Sequence, residues 1–100
     1  MKLVYSPSAK SLRDKIIFEY SGISIYFDAL EKKIQQSPFA ATEKKIVIEG
    51  KVVAVYKKSV RTGLFSGNLL PSYLYLKMSY FVNKPKQQII VIGVYIHNYT

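Results

Sequence analysis

The hydrophobic pattern of this chain changes period once, near residue 40, and that single change limits the folds open to it. Before it, apolar residues recur every three to four positions, as on one face of a helix; after it, they recur every second position, as on one face of a strand. Ser6 can cap a helix with Pro7 at its first position, where the missing N–H costs nothing. Ala9, Leu12, Ile16 and Tyr20 continue the stripe, so the spacing predicts a helix from about Pro7 to Tyr20, ended by Ser21-Gly22. Ser24 can cap a second helix with Phe27, Leu30 and Ile34 as its apolar stripe and Asp28 and Glu31 near its positive end, and Pro38 stops it. A short β-prone segment, Lys2 to Tyr5, precedes both.

Beyond residue 40 the runs are β-branched and aromatic. Lys45–Ile48 and Lys51–Lys58 are split by Glu49-Gly50, which predicts a hairpin. Ser59–Ser72 contains Gly63, Gly67, Asn68 and Pro71 and reads as a long loop carrying Arg61 and an exposed Leu64-Phe65. Tyr73–Val82 and Gln87–Asn98 read as a second hairpin around Lys84-Pro85-Lys86. Helical stripes with polar outer faces need a sheet to cover. The expected fold is therefore α+β: an N-terminal strand and two helices packed on one face of a mainly antiparallel four- to five-stranded sheet. With 100 residues, 49% of them hydrophobic, the chain can build one core but not two, so residues 1–100 are expected to form a single domain.

Alternation assigns faces within the last hairpin. Leu74, Leu76, Met78, Tyr80 and Val82 fall on one side and Tyr73, Tyr75, Lys77, Ser79 and Phe81 on the other. In the partner strand Ile90, Ile92, Val94 and Ile96 make the expected core face, leaving Gly93, Tyr95, His97 and Tyr99 opposite. A three-residue loop at Lys84–Lys86 matches the two apolar sets. It would set Lys77 against Gly93, Tyr75 against Tyr95 and Tyr73 against His97.

Charge separates the same two halves. The chain carries +9, but residues 1–50 hold eight basic residues with all six acids, whereas residues 51–100 hold seven basic residues and no acid. An acid-free basic sheet suggests an anionic partner such as nucleic acid. There is no cysteine, which removes disulfides, thiol nucleophiles and Cys-ligated metal. One histidine and few acids leave no structural zinc set, and the acid-free half offers no ligands for a Mg²⁺-dependent nuclease. No P-loop, GxGxxG, HExxH or Gly-x-Ser-x-Gly motif is present, and no metal or cofactor is expected. An apolar run of about 18 residues and a signal peptide are both lacking, so a soluble, cytoplasmic protein without a membrane association is expected.

Metal-free RNA cleavage fits the residue types that remain. There the 2′-OH attacks the neighbouring phosphodiester while cations stabilise the phosphorane and a side chain moves protons. Lys57, Lys58, Arg61 and Lys77 are the candidate cations, and His97 or Tyr95 the candidate proton carrier. Tyr73, Tyr75 and Tyr99 can stack on unpaired bases, with Lys84 and Lys86 adding contacts to the RNA backbone. Each has a plainer role as well: Tyr is common in half-exposed strands, Lys57-Lys58 can be a solvated strand end, Lys84 and Lys86 a solubilising turn, and a lone His near a terminus is often incidental.

The order β-α-α-β-β-β in a basic chain of this length resembles the RelE/ParE superfamily of bacterial and archaeal toxins. The resemblance rests on Ser6-Pro7-Ser8-Ala9-Lys10-Ser11-Leu12 after the first strand, on Leu30, Ile34 and Ser37-Pro38 closing the second helix, on Leu76-Lys77-Met78-Ser79-Tyr80-Phe81-Val82 where the family often has Tyr-Arg-x-x-Tyr-x-Val, and on Ile89–Gly93 before the polar end. It places Lys77 at the family's strand Arg, and Tyr95 or His97 at its C-terminal Arg, His or Tyr. It implies an endoribonuclease acting on mRNA, in many members on the ribosome, with an acidic antitoxin covering the basic surface. Two other readings share the sequence: a non-enzymatic nucleic-acid-binding or accessory protein using the same face, and a protein–protein or dimer interface anchored by Leu64-Phe65 and Leu69-Leu70.

Overall fold

The computed structural model describes residues 1–65 and 73–98. Its elements run β1 (Lys2–Tyr5), α1 (Pro7–Glu19), α2 (Ser24–Gln36), β2 (Thr42–Ile48), β3 (Lys51–Phe65), β4 (Tyr73–Asn83) and β5 (Gln88–Asn98). The strands form one sheet in the order β1-β5-β4-β3-β2, with β1 parallel to β5 and the other neighbours antiparallel. Both helices pack on one face of it, so the α+β architecture expected from the change of period is the one observed. Among the described residues no helix is long and apolar enough to cross a membrane.

Local chemistry sets the helix ends. Ser6 caps α1, its hydroxyl accepting the Ala9 N–H at 3.2 Å, with Pro7 in the first turn. The second helix starts without a side-chain cap: Ile23, not Ser24, occupies the N-cap position, and its carbonyl accepts the N–H groups of Tyr26 and Phe27. The core gathers Ala9, Ile16, Ile23, Phe27, Leu30 and Ile34 from the helical layer, and Leu76, Met78, Tyr80, Ile89, Val91 and Val94 from the sheet. Leu12, expected in that layer, is 41% exposed. The inward position it vacates is taken by Arg13, whose guanidinium stacks on the rings of Tyr5 and Phe27 at 5.4 and 5.3 Å. Arg13 also approaches Glu31, and Glu31 accepts the Tyr5 hydroxyl at 2.6 Å, so one charged cluster ties β1, α1 and α2 together. Burial first, and then the bond to Glu31, push the Tyr5 phenol far above its ordinary pKa.

The β2–β3 hairpin turns on Glu49-Gly50, both at positive φ (50° and 76°), the two-residue turn the sequence predicts. Two expectations for the sheet are corrected. Residues 59–65, read as the start of a loop, continue β3. The strand tolerates its glycine by an irregularity between Arg61 and Phe65, held from the helix side. There Thr62, 1% exposed, donates to the Leu74 carbonyl at 2.8 Å, and the Gly63 N–H reaches the Tyr26 hydroxyl at 2.8 Å. Leu64, read as exposed, packs partly buried against the core. Leu69-Leu70 lies outside the described residues.

The register of the last hairpin is also corrected. Its turn takes four residues, 84–87, with Gln87 at positive φ, so Asn83 pairs with Gln88. Further along, Ser79 pairs with Gly93 but Tyr80 with Val91, which leaves Ile92 as an extra residue in β5. Each departure shifts the register by one. Together they set Lys77 opposite Tyr95 and Tyr75 opposite His97, two residues from the expected pairing. Between the turn and the bulge the shift is a single residue, and β5 presents its other side: Ile89 and Val91 are fully buried, and Ile90 and Ile92, expected in the core, lie outside it. Past the bulge the expected faces return, with Val94 buried and Ile96 packed against the core.

Candidate functional site

Directly opposed residues of antiparallel strands share a face, so the observed register assembles the side of the sheet away from the helices row by row. Thr42, Lys57, Ser79 and Gly93 form one cross-strand row, Ser59, Lys77 and Tyr95 the next, and Arg61, Tyr75 and His97 a third. Rows two residues apart are separated by roughly 6.7 Å along the strands. Lys57 and Lys77 are diagonal neighbours. With Thr42, Lys58 and Ser59 they line a shallow cleft of about 250 Å³, where β2 begins at Thr42 and the edge of β3 at 57–59 forms one wall. A cleft of that size bordered by Lys57, Lys77, Thr42 and Ser59 has the residue types that suit a phosphate group.

The third row adds an aromatic platform. The Arg61 guanidinium lies 3.8 Å from the centre of the Tyr73 ring, on the strand beside Tyr75 and His97. Arg61, Tyr95 and His97 are exposed, while Tyr73, Tyr75 and Lys77 are half-buried. Among the described residues no acid lies on this face. Glu43 pairs with Tyr56 and so points to the helix side, Glu49 sits in the β2–β3 turn, and the other four acids are on the helices. The described charged side chains on this face are therefore all basic.

Tyr95 is held low over the sheet. Its ring and hydroxyl lie where a side chain on Gly93 would be, so glycine at position 93 is what lets the phenol fold across the row of Ser79. Ser79 is only 4% exposed, and its hydroxyl has no hydrogen-bond partner. A buried hydroxyl left unpaired costs about 1–3 kcal/mol, an expense that a ligand oxygen reaching this row would remove. Neither Thr42, Ser59 nor Ser79 stood out in the sequence. Thr42 precedes the expected start of its strand, Ser59 falls in the segment that read as loop, and Ser79 is conspicuous only through its burial.

Not every candidate cation reaches this face. Lys58 alternates with Lys57 and Ser59 and turns to the helix layer, where it is 8% exposed. Its Nζ donates to the Lys33 carbonyl at 3.0 Å and to the Ser37 carbonyl, closing the negative end of α2. Burial first, and the neighbouring Lys33 charge second, lower its pKa. Lys84 and Lys86 lie in the β4–β5 turn, at the opposite end of β4 from Tyr73, and Lys84 Nζ sits 5.4 Å from the centre of the Phe39 ring. Tyr99 lies outside the described residues. The alternation in the sequence puts Tyr73, Tyr75, Lys77, Tyr95 and His97 on one face; the structure adds Lys57 and Arg61 from β3 to it and separates from it the three lysines at positions 58, 84 and 86.

Lys58 therefore carries a stability prediction. Replacing it with methionine takes away the hydrogen bonds it gives to the Lys33 and Ser37 carbonyls and should cost about 1–2 kcal/mol at neutral pH, measured by denaturant unfolding. Because the folded pKa lies below that of the unfolded chain, the unfolded state binds more protons between the two values. Wild-type stability then rises relative to Lys58→Met as pH climbs towards the ordinary lysine value of 10.5. An unfolding free energy equal to wild type at both pH 7 and alkaline pH would contradict this account.

Among the described residues no group of three or more His, Asp or Glu side chains is placed to hold a metal ion. No protein-family model, no curated protein and no solved structure matches the chain.

Proposed function

We propose that the sheet face away from the helices binds single-stranded RNA and cleaves it without a metal ion, as the toxin of a toxin–antitoxin pair similar to the RelE/ParE proteins and acting on mRNA in the cytoplasm. The observation that carries this reading is the co-location of Lys57, Arg61, Lys77, Tyr73, Tyr75, Tyr95 and His97 on one face with no acid among them. In this reading the cleft between Lys57 and Lys77 takes the scissile phosphate, and Tyr73 with Arg61 stacks on a neighbouring base. His97 or Tyr95 accepts the 2′-OH proton as the 2′-oxygen attacks phosphorus. The bond to the 5′-oxygen breaks, that oxygen receives the proton taken from the 2′-OH back from the same proton carrier, and the products are a 2′,3′-cyclic phosphate and a 5′-hydroxyl. Lys77 and Lys57 stabilise the charge that builds on the phosphorane. An acidic antitoxin covering this face would set negative charge against its basic side chains.

Incubating the purified protein with single-stranded RNA in excess EDTA tests the reading. Cyclic-phosphate ends are expected, together with growth arrest and loss of mRNA when the protein is induced in cells. Folded protein that leaves RNA intact and cells growing would overturn it. The stack of Arg61 on Tyr73 specifically favours a second reading, an accessory protein that binds nucleic acid without cutting it, since a stacking platform needs no proton carrier. Salt-dependent binding with uncut RNA, weakened evenly by each Lys→Ala change on the face, would support that reading.

A further inference from the structure

The β2–β3 and β4–β5 hairpins part company at one end of the sheet. Pairing between β3 and β4 stops at Tyr56 with Tyr80, so residues 51–55 of β3 have a partner only in β2, and residues 81–83 of β4 only in β5. The gap between them is a cleft of about 860 Å³. Its walls are runs of consecutive residues, 51–54 on one side and 81–85 on the other. Neighbouring residues of a strand point to opposite faces, so consecutive lining residues mean that strand edges, not a sheet face, form the walls.

Such edges carry backbone N–H and C=O groups directed into the gap. Ile48 and Lys51 flank a two-residue turn and there exchange both of their hydrogen bonds, so the amide groups of Val52 and Ala54 turn towards the cleft. The helix-side rim is apolar and uncovered: Phe39 is 46% exposed and Val52 68%, and Val47 opposite Val52 is also exposed. Phe39 and Tyr56 meet edge to face with ring centres 5.6 Å apart where the β3–β4 pairing begins. Lys51 and Lys84 also line it with one acid, Glu49, and the Lys84 ammonium lies 5.4 Å from the centre of the Phe39 ring.

We propose that this cleft is a docking site for an extended segment of a partner protein, about four or five residues long, which adds a strand to the β3 edge. Its alternate side chains are apolar on the helix side, and it carries acidic residues at the end that meets Lys51 and Lys84. The free edge specifies an extended backbone, because only a strand can satisfy the Val52 and Ala54 amides in register. The exposed valines and Phe39 specify apolar side chains at every second position. The lysines specify the acidic end. A second copy of this chain would bring +9 against +9 and is disfavoured as the occupant. The proposal is independent of the RNA reading, since the cleft lies at the other end of β4 from Tyr73 and Arg61.

A random heptapeptide library selected against the full chain tests it. Enriched peptides should alternate β-branched or aromatic residues with polar ones and carry Asp or Glu near one terminus. N-methylation at a central amide of such a peptide should weaken binding at least ten-fold. Ala54→Pro removes a cleft-facing N–H while leaving the β2 ladder intact, and should abolish binding. Lys84→Glu, which leaves the backbone untouched, should weaken binding at least five-fold and guards against a folding defect in the proline variant. Peptides that bind Ala54→Pro and Lys84→Glu as tightly as wild type would overturn the proposal, as would a selection that enriches no peptide or only helical ones. Concentration-dependent self-association lost in Ala54→Pro would overturn it in favour of a second copy.

Discussion

If the sheet face cleaves RNA as proposed, Lys77→Ala is expected to lower that cleavage by at least about 100-fold, the usual cost of removing one positioned group that stabilises transition-state charge. Lys77 lies between Ser59 and Tyr95 in its row and diagonal to Lys57, so no other described cation occupies the same point of the face. Two readouts separate its roles. Losing one phosphate contact should flatten the dependence of log K on log[salt] by about 0.7, the single-strand value for one ion pair. Loss of catalysis appears instead in single-turnover rates at saturating RNA. Lys77→Arg keeps the charge and offers a planar fork to the phosphate, so it should retain most of the activity. His97→Ala should lower the rate by about 100-fold or more through proton transfer while leaving the salt slope unchanged. Tyr73→Ala removes a stacking surface and should cost about 1–3 kcal/mol of affinity with little effect on the saturated rate. Wild-type cleavage by both Lys77→Ala and His97→Ala would remove the catalytic assignment of this face. Normal folding with binding but no cleavage even in the wild type would leave the accessory reading standing.

What the sequence reveals here follows from how local each determinant is. Helices α1 and α2, the Glu49-Gly50 turn and the buried side of β4 are written in short-range patterns, and their positions come out within a few residues. The pairing of β5 is not short-range. One extra turn residue and the bulge at Ile92 each move it by one, and neither leaves a mark in the alternation Ile90, Ile92, Val94, Ile96, which looks regular throughout. The face assignments of Tyr75, Lys77, Tyr95 and His97 survive because the two shifts sum to two, the period of a strand. Arg61 reaches the face for another reason: a segment interrupted by Gly63 still forms strand when Thr62 bonds the Leu74 carbonyl of β4 and the Tyr26 hydroxyl accepts the Gly63 N–H from the helix side, a tertiary effect invisible in residues 59–65 alone. Lys58 shows the opposite failure. A lysine in a run of lysines reads as surface charge, but alternation turns it inward, and the carbonyls at the end of α2 make that burial tolerable. Parity along β3 would have separated Lys58 from Lys57 from the sequence alone.

The largest loss of stability is expected at Phe27. Its side chain is fully buried in the layer between α2 and the sheet, and one of its faces carries the Arg13 guanidinium at 5.3 Å. Phe27→Ala removes the ring from a core with few alternative ways to close the space and should cost about 3–5 kcal/mol. For a domain of this size total stability is typically about 5–15 kcal/mol, so the variant is expected to melt at least about 12 °C lower. Phe27→Leu keeps most of the volume and should cost less than about 1.5 kcal/mol if packing alone matters. A larger penalty for leucine would isolate the contribution of Arg13, because leucine offers the guanidinium no π face. A double-mutant cycle with Arg13→Met then gives that coupling directly, with about 0.5–1 kcal/mol expected for a partly exposed cation on an aromatic ring. The loss should be confined to folding. The residues of the proposed RNA face come from β2 to β5 and lie on the side of the sheet away from the helices, whereas Phe27 lies in the helical layer, so the folded fraction of Phe27→Ala should bind RNA with wild-type affinity at a temperature well below its midpoint. Weakened binding by the fully folded variant would mean instead that the helical layer controls the shape of the sheet, and that the face reads RNA only while α2 holds β3 in place.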